Sequence, residues 1–476
     1  MNLTKSDLQL LAQAGIEKET IAGQLNDLRE GPAPLQIKGA CTIDEGIKRV
    51  SDKQKKALIH DFDTLTKNKT VSRFTPASGA ATRMFKHLFD PESNPLLVEE
   101  FLNRITDFAF YEELSKLKLT SNQAKINAVL SEQGLNYGQL PKALISFHSY
   151  GEEVRKAIDE QLVEGVKYIN QQGESNFHFT ISPEHKVLVK NHLSHVVPLL
   201  EKRFETKFNI SFSTQAKSSD TVAINKNGEM VRNEDNQILL RPGGHGSLIH
   251  NLNAQTTDIV FIKNIDNVVR TEFQSEIIDY KKMLGALLVN LQHTVFEILR
   301  ELEACIVSDM RLHEMVSFIK SELNTQVEAN ASAIRKALNR PIRVCGMVKN
   351  EGKAGGGPFW VNNSVQIVES AQMDMNNPEM DAILKEASHF NPVDLVCGMK
   401  DYDGNKFDLL EFIDPTTFFV SNKSYRGEEI KVLEHPGLWN GAMANWLTVF
   451  VEVPVSTFHP VKTVNDLLQK SHSGLS

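Results

Sequence analysis

Residues 240–248 read LRPGGHGSL, and residues 258–267 read DIVFIKNIDN. The first stretch places a glycine-flanked histidine in a loop or at a helix start, and the second is an apolar strand that ends close to Asp266. Ligands of doubly wound sheets gather beyond the carboxyl ends of the strands, so Asp266 lies where Mg²⁺ could bind between carboxylate and phosphate oxygens. The competing interpretation is that Asp266, beside two asparagines, only forms a turn.

Outward from these blocks, short β-rich runs alternate with helical stretches. The runs begin at Thr70, return near residues 177, 208, 237 and 258, and resume at Pro341 after a long helical stretch. This alternation predicts an α/β fold with a doubly wound, largely parallel mixed sheet of the Rossmann-like type.

The same pattern divides the chain into four predicted segments. A helical N-terminal segment covers residues 1–69, where Ser6 can cap and Gly15 can end a short helix. A first α/β half covers 70–271, a charged and helix-patterned insertion covers 272–340, and a second α/β half covers 341–476.

Composition narrows the class of protein. The net charge of −8 argues against nucleic acid as a partner, because binding to its phosphates relies on surplus Lys and Arg. Four scattered cysteines (Cys41, Cys305, Cys345 and Cys397) show no paired spacing and are interpreted as reduced structural thiols. The first residues lack a signal-peptide pattern, and the most apolar stretch, 286–299, is interrupted by polar side chains. We therefore expect a cytoplasmic protein without a membrane span.

Two further blocks suggest anion binding. Residues 74–84 read FTPASGAATRM, a strand that enters small residues and then a helix, so backbone N–H groups at Gly79 and Ala80 could face an anion beside Thr82 and Arg83. An ordinary tight turn is an equally good interpretation. Residues 140–147, LPKALISF, place Lys142 in an apolar stretch, where an anionic ligand or a route to the surface would each explain it.

A family resemblance joins these blocks. PGGHGSL followed by FIKNIDN is similar to the PxGHGxxY and SNxDN pair of the UDP-sugar pyrophosphorylases, the UTP:glucose-1-phosphate uridylyltransferase family, and the blocks resemble a bacterial branch of it. The resemblance implies a nucleotide-diphospho-sugar transferase (GT-A-like) fold. It assigns Mg²⁺ to Asp266 and nucleotide binding to the loop of Gly244, His245 and Gly246.

The remaining blocks follow in the family's order. FHPVKTVNDLL, residues 458–468, resembles the segment whose lysine reaches the nucleotide phosphates, which implies that role for Lys462. Three further blocks resemble the segments with which that family binds the sugar: KAGGGPF, IVESAQM and FNPVDLV. In the last block Asp394 stands where the family has Asn. Gln215 matches the residue that reads uracil. The sugar-binding residues implied are Gly355, Gly356, Gly357, Glu369 and Asp394.

The function implied is transfer of a nucleotide, expected to be UTP, to a sugar 1-phosphate with Mg²⁺ and release of pyrophosphate. Arg83, Lys142 and Lys462 would supply cationic contacts, and no protein nucleophile is needed. Two alternatives remain open. A glycosyltransferase of the same fold would not need Lys142 and Lys462, and a non-catalytic nucleotide-sugar sensor would release no pyrophosphate.

Overall fold

The structure is a computed structural model that describes residues 2–304, 306–352 and 355–474 of the chain. Cys305, one of the four predicted structural thiols, and Lys353, the first residue of the KAGGGPF block, lie outside the described residues. The other three cysteines are free and buried.

Helices and strands alternate along the whole chain. The α-helices are α1 (Lys5–Ala14), α2 (Lys18–Glu30), α3 (Asp52–Thr66), α4 (Lys86–Phe89), α5 (Pro95–Asn103), α6 (Tyr111–Ser115), α7 (Asn122–Leu130), α8 (Ala157–Ile169), α9 (Lys186–Phe204), α10 (Leu248–Asn253), α11 (Gln274–Ala304), α12 (Asp309–Leu323), α13 (Ala331–Leu338), α14 (Pro378–Glu386) and α15 (Lys470–Ser473).

The strands are β1 (Ile37–Ala40), β2 (Thr42–Ile43), β3 (Gly46–Lys48), β4 (Val71–Pro76), β5 (Ser146–Tyr150), β6 (Glu153–Lys156), β7 (Glu174–Thr180), β8 (Lys207–Ser213), β9 (Thr221–Asn225), β10 (Leu240–Arg241), β11 (Ile259–Lys263), β12 (Ile342–Lys349), β13 (Gly357–Val361), β14 (Ser364–Val368), β15 (His389–Phe390), β16 (Asp394–Gly398), β17 (Phe419–Tyr425), β18 (Glu428–Glu434) and β19 (Leu447–Glu452). The predicted α/β class with a mixed sheet is confirmed.

The chain folds into two compact units, each assembled from three stretches of sequence. The first unit comprises residues 2–51, Gln215–Asp258 and, within the described residues, Leu287–Glu452. The second unit comprises Asp52–Thr214, Ile259–Ala286 and residues 453–474.

The second unit contains a parallel sheet in the order β11-β4-β7-β8 and a β5-β6 hairpin. All residues of β11 are buried, and so are the first five of β4, as expected for parallel strands covered on both faces. In the parallel register of these two strands Ile262 lies opposite Phe74. The carboxyl ends of β4 and β11 therefore lie side by side, and the loop before Gly79 and the loop before Asp266 start from the same edge of the sheet.

The first unit contains three sheets. One has the strand order β2-β3-β19-β12-β16, in which only the β12-β16 pair is antiparallel. The others are β1-β13-β14 and β10-β9-β18-β17. Helices α1 and α2 cover the last sheet, where Leu11, Ile21 and Leu25 pack with Val222 and Leu433 in one buried cluster. Burial of these apolar faces holds the N-terminal helices in place.

Helix α1 begins differently from the sequence expectation. Thr4, not Ser6, is its N-cap: the Thr4 side chain accepts a hydrogen bond from the Asp7 backbone, and Asp7 accepts one from the Thr4 backbone. This reciprocal pair satisfies two amide donors at the helix start, which Ser6, lying inside the helix, does not do. Gly15 ends the helix with φ 72°, as predicted.

The predicted helical segment 272–340 contains α11, α12 and α13, and its residues are divided between the two units. The predicted N-terminal segment 1–69 contains β1, β2 and β3 in addition to helices. Within the part of the chain that the structure describes, no helix is both long and apolar enough to cross a membrane.

Candidate functional site

Three sequence-distant side chains of the second unit converge on one oxygen atom. Lys142 Nζ lies 2.9 Å from Asp266 Oδ2, and Lys462 Nζ lies 3.2 Å from the same oxygen. Lys142 Nζ also donates to the Val461 carbonyl at 2.9 Å. The structure thus brings together the predicted metal residue and two of the three predicted phosphate cations.

Asp266 is ionised in this arrangement. Burial alone would raise the pKa of its carboxyl, but the charges and hydrogen bonds of Lys142 and Lys462 outweigh burial and lower that pKa. The two lysines differ in exposure, since 15% of the Lys142 side chain is accessible to solvent and 60% of the Lys462 side chain. Lys142 therefore holds the buried carboxylate, whereas Lys462 presents most of its length to solvent.

The loop after β4 is tied to Lys142 through its backbone. Lys142 N donates to Gly79 O at 3.2 Å, and Ala81 N donates to Leu140 O at 3.0 Å. Gly79 and Ala80 are exposed, and within the described residues their N–H groups make no backbone or side-chain hydrogen bond. A Cβ atom added to Gly79 would meet nothing within 4 Å. Two free amide donors thus lie next to the backbone of Lys142, which begins a short 3-10 helix.

The helix predicted after this loop is present but short. The loop enters a three-residue 3-10 helix, Ala81–Arg83, and then the four-residue α4, so it has no long helix whose dipole would favour an anion. Thr82 and Arg83 are exposed, and Thr82 Oγ1 lies 3.5 Å from Gly138 O. Arg83 makes no described contact with Asp266, so the structure does not gather it with the two lysines.

The C-terminal segment places Lys462 by local hydrogen bonds. Asp466 Oδ2 accepts from the backbone N–H groups of Lys462 and Thr463 at 2.8 and 2.7 Å. Val461 N donates to Asp266 O at 3.1 Å, and Asn267 Oδ1 accepts from His459 N at 2.9 Å. The backbone of this segment is therefore hydrogen-bonded to the loop after β11. These hydrogen bonds bring the Lys462 side chain to Asp266.

In the first unit the PGGHGSL loop packs so closely that side chains would not fit. A Cβ atom at Gly246 would lie 2.2 Å from Pro436 O, and Gly244 has φ 76°. Gln215, predicted to read the base, donates from Nε2 to Gly244 O at 3.2 Å. The glycines thus allow close backbone approach, and Gln215 is adjacent to the loop.

His245 and Glu369 meet beside this loop. His245 Nε2 lies 3.8 Å from Glu369 Oε1, and the same carboxylate oxygen accepts from Asn440 Nδ2 at 2.9 Å. The His245 ring stacks on Trp439 with the ring centroids 4.7 Å apart. Burial lowers the pKa of His245, although the charge of Glu434 acts in the opposite direction. Burial and the charge of Glu434 both raise the pKa of Glu369. His245 is therefore a neutral ring beside a carboxylate.

The other predicted sugar residues lie on neighbouring elements. A Cβ atom at Gly356 would lie 3.6 Å from Glu369 Cγ, whereas Gly355 and Gly357 pack against Phe390 and Phe359. Asp394 is buried at the start of β16, where it contributes, after burial, to raising the pKa of the Cys345 thiol to about 12.

Sequence reasoning missed Glu434, Trp439 and Asn440. Glu434 is the last residue of β18, and the other two lie in the turn that follows it; residues 433–441 read LEHPGLWNG. The signal in the sequence was the close spacing of Pro436 and Gly437 with Trp439 and Asn440, which is typical of a tight turn. In the structure, a Cβ atom at Gly437 would lie 2.4 Å from His245 Nε2. Such crowding marks a turn that must approach another loop.

The chain matches one family model and resembles solved structures in its fold. The model of a family described as a domain of unknown function (DUF4301) matches residues 4–473. No curated protein sequence matches the chain. The solved UDP-N-acetylglucosamine pyrophosphorylase of Trypanosoma brucei, in complex with inhibitor, is 10% identical, with a TM-score of 0.51 over 98% of this chain and 79% of that chain. This likeness confirms the predicted fold type.

A UDP-glucose pyrophosphorylase mutant from Leishmania major is 14% identical over 98% of this chain and 79% of that chain, with a TM-score of 0.47.

Proposed function

The chain belongs to the DUF4301 family, and we propose that it is a nucleotidyltransferase that makes a nucleotide sugar, with UTP the expected nucleotide, from a nucleoside triphosphate and a sugar 1-phosphate. The observation that carries the proposal is the convergence of Lys142 and Lys462 on the buried carboxylate of Asp266. Two cations on one buried carboxylate, together with the free backbone N–H groups next to Lys142, suit a substrate rich in phosphate oxygens.

In the proposed reaction an oxygen of the sugar 1-phosphate attacks the α-phosphorus of the nucleotide. A new P–O bond forms, the bond from the α-phosphorus to the α,β-bridging oxygen breaks, and pyrophosphate leaves with that electron pair. Both reactants are anionic, so the protein's task is to position them and to offset the charge that develops on the phosphate oxygens. No side chain is required as a nucleophile.

In the second unit Lys142 and Lys462 have different tasks in this proposal. Lys142, held by Asp266 and the Val461 carbonyl, keeps a fixed position and lends its charge to the α-phosphate. Lys462, mostly exposed, can leave Asp266 for a phosphate oxygen of the nucleotide. The N–H groups of Gly79 and Ala80 would hydrogen-bond the remaining phosphate oxygens, and Arg83 would reach the outer phosphates.

Asp266 fits the Mg²⁺ that the family resemblance implies. Its Oδ1 atom is buried and has no hydrogen-bond partner among the described residues, and Mg²⁺ is commonly held by one or two carboxylates together with substrate phosphates and water. No cluster of three or more His, Cys, Asp or Glu side chains in the described ranges could hold a metal unaided. When bound, Mg²⁺ would neutralise phosphate charge; Asp266 would hold it, and Lys142 would orient Asp266.

The groups of the first unit are suited to uncharged ligand groups. Gln215 and the loop of Gly244 offer backbone and amide groups suited to a base, and Glu369 offers carboxylate oxygens that accept hydrogen bonds from sugar hydroxyls. Gly356 lets the backbone pack closely against Ile367, next to Glu369.

Pyrophosphate release tests the proposal. The wild-type protein is incubated with Mg²⁺ and a matrix of UTP, GTP, CTP and ATP against several sugar 1-phosphates, and Asp266→Asn is measured beside it. We expect release with at least one pair and its loss in Asp266→Asn, because a neutral amide is a poor ligand for Mg²⁺. Near-wild-type release by a folded Asp266→Asn variant would remove Asp266 from the site.

A further inference from the structure

Two carboxylates flank the Gly244-His245 pair in the first unit. Glu369 Oε1 lies 3.8 Å from His245 Nε2, and a Cβ atom at Gly244 would lie 2.8 Å from Glu434 Oε2. Trp439 stacks on the ring of His245, which lies between them in this cluster. The side chains of Glu369 and Glu434 keep 32% and 23% of their surface exposed, so a ligand can reach both.

Only one of these carboxylates has a cationic partner in the described part of the chain. Lys423 Nζ lies 3.1 Å from Glu434 Oε1, which also accepts from Ser421 Oγ at 2.7 Å. Glu369 is held by the neutral amide of Asn440 and faces His245, whose lowered pKa leaves the ring uncharged at neutral pH. His435, on the following residue of the chain, is likewise neutral because burial lowers its pKa. Glu369 is thus the carboxylate of the two without a cationic partner among the described residues, and burial together with the charge of Glu434 raises its pKa.

We propose that this cluster selects a sugar 1-phosphate that carries a protonated amino group over one with a hydroxyl or an acetamido group at the same position. The inference rests on the proposed function and specifies its substrate class. A carboxylate in a half-buried cluster is stabilised by a cation, and an ammonium group beside an aromatic ring gains further attraction. A neutral sugar would offer Glu369 hydrogen bonds but no charge.

Three probes test this selection: glucosamine 1-phosphate, N-acetylglucosamine 1-phosphate and glucose 1-phosphate. Their binding to the full-length protein is measured by calorimetry without nucleotide, and kcat/KM by pyrophosphate release. We expect glucosamine 1-phosphate to be preferred about tenfold, the value of one charge-assisted hydrogen bond. The preference should fall as pH rises above about 8, where an amine of this kind loses its proton.

Two variants should move the preference in opposite directions. Glu369→Gln removes the negative charge at this position and should bring the ratio of amino to hydroxyl sugar close to one. Lys423→Gln leaves Glu434 without its cation and should raise that ratio further. Lys431→Gln is the matched control, because it makes the same change of net charge on the opposite face of β18 and should leave the ratio unchanged.

The outcomes separate this inference from the proposed function. Pyrophosphate release with equal efficiency for all three sugars, or a ratio that Glu369→Gln leaves intact, overturns the inference and keeps the function. Selective, Glu369-dependent binding of the amino sugar without any pyrophosphate release supports the inference and removes the function. Absence of measurable binding for all three probes overturns the inference as well.

Discussion

At the scale of single residues, Lys142 and Lys462 contact the same oxygen of Asp266 but have different surroundings. Lys142 has a second partner in the Val461 carbonyl and little exposed surface, whereas Lys462 has Asp266 as its only described side-chain partner. Removal of a buried ion-pair partner is costly, but removal of an exposed one is not. The two lysines should therefore differ in what their removal does to stability.

Lys462→Ala should lower kcat/KM for the nucleotide by at least about tenfold and leave the melting temperature close to that of the wild type, since a charge-assisted phosphate contact is worth about 1.5–3 kcal/mol. Lys470→Ala, an exposed lysine of the same segment, is the control and should change neither quantity. Full catalytic efficiency of Lys462→Ala with all four nucleotides would mean that the segment around Lys462 is structural.

At the scale of elements, the parallel strands of the second unit enclose a buried histidine. His178 on β7 stacks on Phe74 of β4 and lies 2.8 Å from Ser211 Oγ and 2.7 Å from Ser213 Oγ of β8. Burial lowers the pKa of His178 from 6.5 to about 4. The folded protein therefore keeps this ring neutral at a pH where the unfolded chain takes up a proton.

Because of this lowered pKa, the stability of the folded protein should fall at acidic pH. The contribution of His178 to the free energy of unfolding is complete above pH 6.5 and is lost as pH falls towards 4. The loss is at most about 3 kcal/mol, since one pKa unit corresponds to about 1.36 kcal/mol. Denaturant titrations between pH 7 and 4 should show a shallower decline for His178→Gln than for the wild type. The exposed His195→Gln should follow the wild type, and identical slopes for all three proteins would contradict the shift.

Much of this element level could be predicted from sequence. The apolar runs at β11, β12 and β19 are strands because a strand buried on both faces is mostly apolar, whereas β4 and β7 also carry polar side chains. The hairpin β17-β18 was missed, since SNKSYRGEEIKVLE is mostly polar and shows no core-facing run. Because this hairpin was not predicted, Glu434 and the turn to Asn440 were not identified either. Tertiary packing alone brings them next to His245.

At the scale of the whole molecule, the grouping of the chain into two units was beyond sequence reasoning. The predicted segments followed chain order, whereas each unit combines three stretches that are distant in sequence. The apolar face of α2 is readable from its sequence, but its partners on β9 and β18 lie about 200 residues further on or more. Likewise, Asp266 is 124 residues from Lys142 and 196 from Lys462, and only family resemblance joined them.

The units should respond differently to a phosphate ligand. Pyrophosphate with Mg²⁺, added to the intact protein, should slow amide exchange at Gly79 and Ala80, whose N–H groups have no described partner, when exchange is followed at millisecond times. Strand β18 of the first unit is the internal control and should show no change. Slowed exchange in β18 with none at Gly79 and Ala80 would refute the placement of the phosphates.

The most direct test of the account follows the α-phosphate of the nucleotide. The protein is incubated with Mg²⁺, a nucleoside triphosphate labelled at its α-phosphate, UTP first, and a sugar 1-phosphate, and the products are separated. We expect the label in a nucleotide sugar and an equal amount of unlabelled pyrophosphate, both lost in Lys142→Ala. Label recovered only in unreacted triphosphate or in its hydrolysis products, for every pair of substrates, would contradict the proposed nucleotidyl transfer.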